Sequence, residues 1–255
     1  NLQHRRLETF YAHPMRHGKP FQPLGFGAGR FFHRLFVGEK SQFQWTEADY
    51  ANIVFYFQMA YAVAYLGFGK LVDMVGARLG YAIAIIVWTL GHMAHGMAHT
   101  VAQMAMARAA LGVGESGNFP AGVKAVTEWF PQKERAFATG LFNAGSNIGA
   151  ILTPLILLLI IDIWGFDWRM AFYITGIFGF LLLAAWWLIY DHPTRKAQLS
   201  AEELAYIQQD GDDKVAKLGW GDVIRRRETW AYALGKFFID PIWWFFLFWL
   251  PSFFA

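Results

Sequence analysis

Six apolar runs of about 20 residues each constrain this chain more than anything else in it, because a helix rising about 1.5 Å per residue crosses a bilayer core of roughly 30 Å in that length. They lie at approximately 50–68, 79–99, 101–123, 136–161, 169–190 and 231–255, and the third and sixth alone carry charges well inside them. Composition agrees: 56% of residues are hydrophobic, 18% aromatic and only 16% charged, which does not describe a soluble surface. The net charge of +3 is spread along the chain and argues against nucleic acid as a partner. With no cysteine, disulfides, thiolate catalysis and cysteine metal sites are excluded. Residues 1 to 40 hold no apolar core of the secretory type, being interrupted by Arg5, Arg6, Arg16, Lys19, Arg30 and Arg34.

The fold class expected is all-α, a polytopic transmembrane bundle. Connections at 69–78, 99–101, 124–135 and 162–168 are short, so consecutive helices are antiparallel neighbours. Segment 191–230 is long and polar, with Ser200 and Glu203 forming a capping-box helix start. Cytoplasmic loops retain Lys and Arg. Lys70 and Arg78, then Lys124, Lys133 and Arg135, then Arg195, Lys196, Lys214, Lys217 and Arg225 to Arg227 place alternate connections inside, while 99–101 and 162–168 hold none. The helix at 50–68 then begins outside, with the seven Lys and Arg of residues 1–49 on the translocated side. Residues 1 to about 37 are therefore expected not to be the native context of the helices after them, through truncation, replacement or out-of-frame reading.

Arg108 and Glu115 lie within the third apolar run, seven residues apart, within about 20° of one helix face. A charge at mid-membrane costs at least about 2.5 kcal/mol, so the pair must face protein or a watery cavity. It either locks two helices or forms an anion-binding or proton-coupling site. Gly112, Gly114, Gly117 and Pro120 keep the adjacent backbone thin and kinkable. Asn143, Ser146 and Asn147 make a polar patch on an apolar helix, fitting hydroxyl recognition or interhelical hydrogen bonding. Tyr56, Gln58 and Tyr61 are candidate cavity donors or interface aromatics, and Asp240 with Pro241 breaks the last helix and lines the cavity or caps the break. His92, His95 and His99 share a helix stripe, but without a nearby carboxylate they read as interfacial imidazoles and not as metal ligands. Trp186, Trp187, Trp243, Trp244 and Trp249 read as bilayer anchors.

Gly69 to Arg78 resembles the G-x-L-x-D-x-x-G-x-R loop of the major facilitator superfamily, with Gly69, Asp73, Gly76 and Arg78 in place and Leu79 where a second basic residue usually stands. From the residues alone, the stretch is either a close approach of two helix ends made by its glycines, with the acid and arginine contacting neighbouring helix ends, or an ordinary tight turn with solvated charges. Arg108 to Pro120, and Trp129-Phe130-Pro131 with Glu134-Arg135, resemble the R-x-x-x-G-x-x-E-x-x-x-x-P and W-F-P-x-x-E-R patterns of its anion:cation symporter branch. Phe142 to Ala150 and Phe238 to Trp244 continue the likeness, and Leu79 to Ala82 with Ala121 to Lys124 bring it nearest to bacterial hexuronate transporters.

The resemblance covers about 39–255, family helices two to seven. It implies a partial fold of that kind: a basic segment at 1–38, five helices in 39–190, an interdomain loop at 191–230 and a seventh helix in 231–255. It further implies proton-coupled symport of a sugar-acid anion such as glucuronate or galacturonate across a bacterial inner membrane, without cofactor or metal. In that picture Glu115 carries the coupling proton, and Arg108 holds its charge state or attracts the substrate carboxylate. Tyr61, Asn118, Asn143, Ser146 and Asn147 contact substrate. Galactonate, glucarate, or a non-transporting membrane fragment are the alternatives. The family's first helix and its last five have no counterpart here, so the polypeptide alone is expected not to transport. No nucleophile and base arrangement suggests an enzyme.

Overall fold

The computed structural model describes residues 45–210 and 219–248. The basic segment 1–38, Lys214 and Lys217 of the interdomain loop, and the end of the last run with Trp249 lie outside the described residues. The regular structure is helical: α1 Glu47–Ala94, α2 Val101–Glu115, α3 Asn118–Trp129, α4 Gln132–Leu157, α5 Trp168–Ile189, α6 Ala201–Ile207, α7 Trp220–Arg225 and α8 Arg227–Phe248. A π-helical turn at Leu158–Ile163 extends α4.

Straight, the 48 residues of α1 would run about 72 Å, more than twice the bilayer core. They fold back at Gly76, whose φ of 84° and ψ of 165° leave the helical region. A Cβ at Gly80 would lie 2.8 Å from Val72 Cγ2, and one at Gly117 would lie 2.6 Å from Phe68 and 2.7 Å from Ala84. Val72 pairs with Gly80 and Phe68 with Ala84, each pair centred on Gly76, so the two arms run antiparallel. The expected connection at 69–78 is thus one residue between two helical arms. Gly76 makes the turn and Gly80 makes room for the close approach, whereas a Cβ at Gly69 would meet nothing within 4 Å.

The third apolar run bends rather than continuing straight. Ser116 caps α2 with φ −60° and ψ −22°, its Oγ donating to Val113 O at 2.7 Å, and α3 follows directly after Gly117. That helix runs to Trp129, past the hydrophobic boundary near 123, so the expected loop 124–135 shrinks to Phe130 and Pro131. Hydropathy marks where the bilayer ends and not where the backbone stops being helical. Asp167 caps α5 by accepting from Arg169 N at 2.9 Å, after Gly165 turns at φ 70°. Ser200 and Glu203 form the expected capping box of α6. Pro241 does not break α8, which runs through it.

Three helices, α1, α4 with its π turn, and α5, are long and apolar enough to cross a membrane among the described residues, and the fold at Gly76 gives the first two crossings. Phe137, Leu141, Ile148 and Ile151 of α4 and Leu181 and Leu188 of α5 are exposed, a pattern that suits lipid. At one end the three basic connections meet: Lys124 Nζ reaches Asp73 Oδ1 at 3.5 Å, Arg78 reaches Asp191, and Gln132 N donates to Asp210 Oδ2 at 2.6 Å. At the other, Ile53, Ala98, Met104, Ala105, Trp168 and Phe172 form a buried cluster. The basic connections therefore gather at a single end of the bundle.

Candidate functional site

The centre of the bundle is built by α2 packing against both arms of α1. Small residues bring the backbones together. A Cβ at Gly112 would lie 2.6 Å from Phe57 O, one at Gly91 would lie 2.6 Å from Leu111 N, and one at Gly114 would collide with the backbone of Trp88. The glycines of α2 therefore serve close crossing, and the bend falls after them at Ser116 and Gly117.

That crossing positions Arg108 and Glu115, both half-buried. The Arg108 guanidinium carbon lies 5.9 Å from the centroid of the Phe57 ring. Tyr50, Glu115, His92 and His95 share its electrostatic surroundings. Glu115 makes no hydrogen bond or ion pair with any described residue, and two helical turns, about 10 Å of rise, separate it from Arg108. Tyr61 packs beside Gly112, stacks on Tyr65 at 6.0 Å, and lies in the field of both Glu115 and Asp240. Glu115 thus lies in the field of both Arg108 and Tyr61, and Asp240 in that of Tyr61. Asp240 is also paired with Lys236 Nζ at 2.7 Å, one turn back on the unbroken α8, so it caps no helix end.

The other expected residues go elsewhere. Asn118 accepts from Tyr81 OH at 2.8 Å, which ties the first turn of α3 to the second arm of α1. Asn143, Ser146 and Asn147 are exposed on α4 and make no hydrogen bond with a described residue. Nearby, Phe142 packs where a Cβ on Gly122 would stand. Tyr56 is exposed and Gln58 half-buried.

Sequence reasoning missed Tyr50, Phe57 and Tyr81. The spacing 50, 57, 61 puts the first two with Tyr61 on one helical stripe, a signal that was available.

Arg78 closes the end of the bundle where the basic connections meet. Its Nη1 donates to Asp191 Oδ2 at 3.0 Å, its Nη2 to Trp187 O at 2.7 Å, and its guanidinium lies 4.9 Å from the Trp187 ring centroid. Trp186 Nε1 returns a bond to Arg78 O at 3.0 Å. The arginine of the loop signature therefore holds the carboxyl end of α5 through charge and dipole together. Trp186 and Trp187 are committed here partly as donors and ring partners rather than as lipid anchors alone.

The histidine stripe turns inward. His92 Nε2 meets Thr175 Oγ1 at 2.7 Å, and His95 is fully buried and stacked on Phe172 at 5.2 Å, a core place and not an interfacial one. His99 Nδ1 meets Arg169 Nη2 at 3.3 Å. His92 and His95 share a contact with the Phe172 ring, while the three imidazoles take different side-chain or backbone polar partners.

Comparison with known proteins gives a consistent set. The model of the Major Facilitator Superfamily matches residues 25–255. The "Hexuronate transporter" of Escherichia coli (strain K12) is 36% identical over 213 residues, covering 80% of this chain and 48% of that protein. The "Galacturonate transporter" of Dickeya chrysanthemi is 34% identical over 221 residues, covering 84% and 63%. The "Probable L-galactonate transporter" of E. coli K12 is 33% identical over 201 residues, covering 77% and 44%. Among solved structures, a bacterial homologue of the human lysosomal transporter Spinster, inward-facing and unoccupied, superimposes with a TM-score of 0.53 at 20% identity, covering 78% of this chain and 45% of that one. The chain spans about half the length of the curated relatives it matches.

Proposed function

The chain belongs to the Major Facilitator Superfamily, and from that premise we propose that it carries the anion-binding and coupling elements of a secondary transporter for sugar-acid anions in a bacterial inner membrane. Its hexuronate, galacturonate and galactonate relatives are transporters and not enzymes. The observation that carries the reading is the placement of Arg108, Glu115 and Tyr61 around one helix crossing, half-buried, with Glu115 making no ion pair to a described residue. A guanidinium in that setting attracts a carboxylate, and a phenol adds a directional hydrogen bond. Hexuronates suit the site because they present one carboxylate and several hydroxyls. Galactonate and glucarate share that chemistry and remain the second reading, favoured by the 33% identity to a protein named for L-galactonate.

The coupling ion in this reading is the proton. Glu115 takes it, neutralises its own charge and leaves Arg108 to the substrate anion. Loss of the negative charge changes the electrostatic balance at the α1 and α2 crossing, which biases one arrangement of the bundle over another. Asn143, Ser146 and Asn147 of α4 would meet substrate hydroxyls once a facing surface covers them.

The test is equilibrium binding of labelled glucuronate and galacturonate to the chain in lipid vesicles, with glucose as the neutral control. Saturable binding of the acids but not of glucose, accompanied by proton uptake that Glu115→Gln removes, is the expected result. Equal binding of glucose, or proton uptake retained in Glu115→Gln, would overturn the assignment.

A further inference from the structure

The tautomer of His95 can be read from its partners. His95 Nδ1 lies 2.8 Å from Gly91 O and 3.2 Å from His92 O, and a carbonyl only accepts, so Nδ1 carries the proton. In the neutral ring Nε2 is then a bare lone pair. It is fully buried and has no hydrogen-bond partner among the described residues, although buried acceptors are ordinarily satisfied. His92 has the opposite tautomer: Thr175 Oγ1 donates its only hydrogen to Ala171 O at 2.6 Å, so His92 Nε2 must be the donor to that oxygen. His92 is committed to α5, and His95 is left with an open acceptor.

The helix register places this acceptor. Trp88 packs at Gly114 and Gly91 at Ala110 and Leu111, so the second arm of α1 and α2 run antiparallel. One turn further along that pairing sets His95 level with Ala107 and Arg108, and His95 lies in the field of Arg108. Phe172 stacks on the imidazole with a 10° interplanar angle and fixes its plane. Arg108 brings five N–H donors to that level.

We propose that His95 is a positioning residue for Arg108, its Nε2 accepting a hydrogen bond from one buried water that the guanidinium also holds. The bond aims the cation while no anion is bound. An incoming carboxylate then meets a guanidinium whose direction the imidazole helps to set, which lowers the ordering cost of binding. The functional half of this inference rests on the reading of Arg108 as the anion site; the structural half does not.

Nitrogen NMR of the chain in lipid, labelled at histidine and arginine, reads the structural half. The expected spectrum shows His95 protonated at Nδ1, with Nε2 accepting a hydrogen bond and close to the Arg108 guanidinium nitrogens. Arg108→Met, which removes the donors, should return Nε2 to a lone pair without a hydrogen bond, while Arg108→Lys keeps one. The wild-type measurement stands even where Arg108→Met does not fold. An Nε2–H tautomer at His95, or no proximity to Arg108 in the wild type, overturns the inference. For the functional half, His95→Phe keeps the ring stack and removes the acceptor. It should weaken glucuronate binding about tenfold, as the loss of one hydrogen bond predicts, while His95→Gln restores most of it. A positive NMR result with no anion binding by the wild type would leave His95 as the anchor of Arg108 and overturn the anion reading instead.

Discussion

Replacing Gly91 with alanine tests the helix crossing on which the candidate site depends. The added Cβ would stand 2.6 Å from Leu111 N and 2.9 Å from both Ala110 C and Leu111 Cα. All three are backbone atoms, so no side-chain rotation relieves the overlap. Ordinary contact begins near 3.4 Å, so the second arm of α1 and α2 must part locally. A separation of about 1 Å forfeits a quarter to a half of the dispersion energy of every contact along the seam. Overpacking of this type costs about 1–3 kcal/mol. Gly140→Ala on α4 is the matched control, because nothing lies within 4 Å of a Cβ there, and it should be neutral or stabilise by up to about 1 kcal/mol. Denaturant-driven unfolding in mixed micelles, followed by circular dichroism, compares the two. Equal midpoints, or a more stable Gly91→Ala, would refute the tight crossing of these helices.

Other perturbations separate the remaining parts of the account. Gly76→Ala meets no steric obstacle, yet φ of 84° with ψ of 165° is nearly restricted to glycine, so the unfolding midpoint should fall by the equivalent of about 1–3 kcal/mol. Arg78→Lys keeps the charge but loses the two-pronged contact with Asp191 and Trp187. With the pair roughly a third exposed, a loss of about 1–2 kcal/mol is expected from the same titration, and no loss would argue against the clamp. The Ser200 backbone N–H and hydroxyl hold the Glu203 carboxyl below its ordinary value of 4.5. Its contribution to α6 is therefore complete above that value and fades as the pH falls through the depressed one, and Ser200→Ala should return the midpoint toward 4.5 by carbon NMR of Glu203.

Local chemistry was legible in the sequence and long-range partnership was not. The capping box of Ser200 and Glu203 needs only a three-residue spacing, and it stands as read. The same holds for the shared face of Arg108 and Glu115, which follows from helical periodicity. Arg78 was readable as a residue that grips a helix end, but its partner Asp191 lies 113 residues away and nothing local names it. Helix ends were misplaced for a different reason. Lys124 and Glu128 mark departure from the bilayer, yet α3 stays helical to Trp129 because a charged helix is stable in water when it packs, and Tyr190 OH donates to Glu128 Oε2 at 2.7 Å. Pro241 in the sequence suggests a break, yet losing one backbone bond does not end a helix whose other bonds are intact. The histidine stripe alone suggests an interfacial place for His95, whereas the flanking Gly91 and Gly96, both packed against neighbouring helices, mark a stretch that enters the core.

The most direct measurement is site-resolved protection of Arg108 against an arginine-specific dicarbonyl reagent, read by mass spectrometry with the chain in lipid vesicles. Glucuronate or galacturonate should slow modification of Arg108 in a saturable way and leave Arg225 and Arg226, which are exposed at the end of α7, unchanged. Glucose should protect neither. Modification of Arg108 at the same rate with and without either acid, at concentrations that saturate binding, would contradict its role as the anion site.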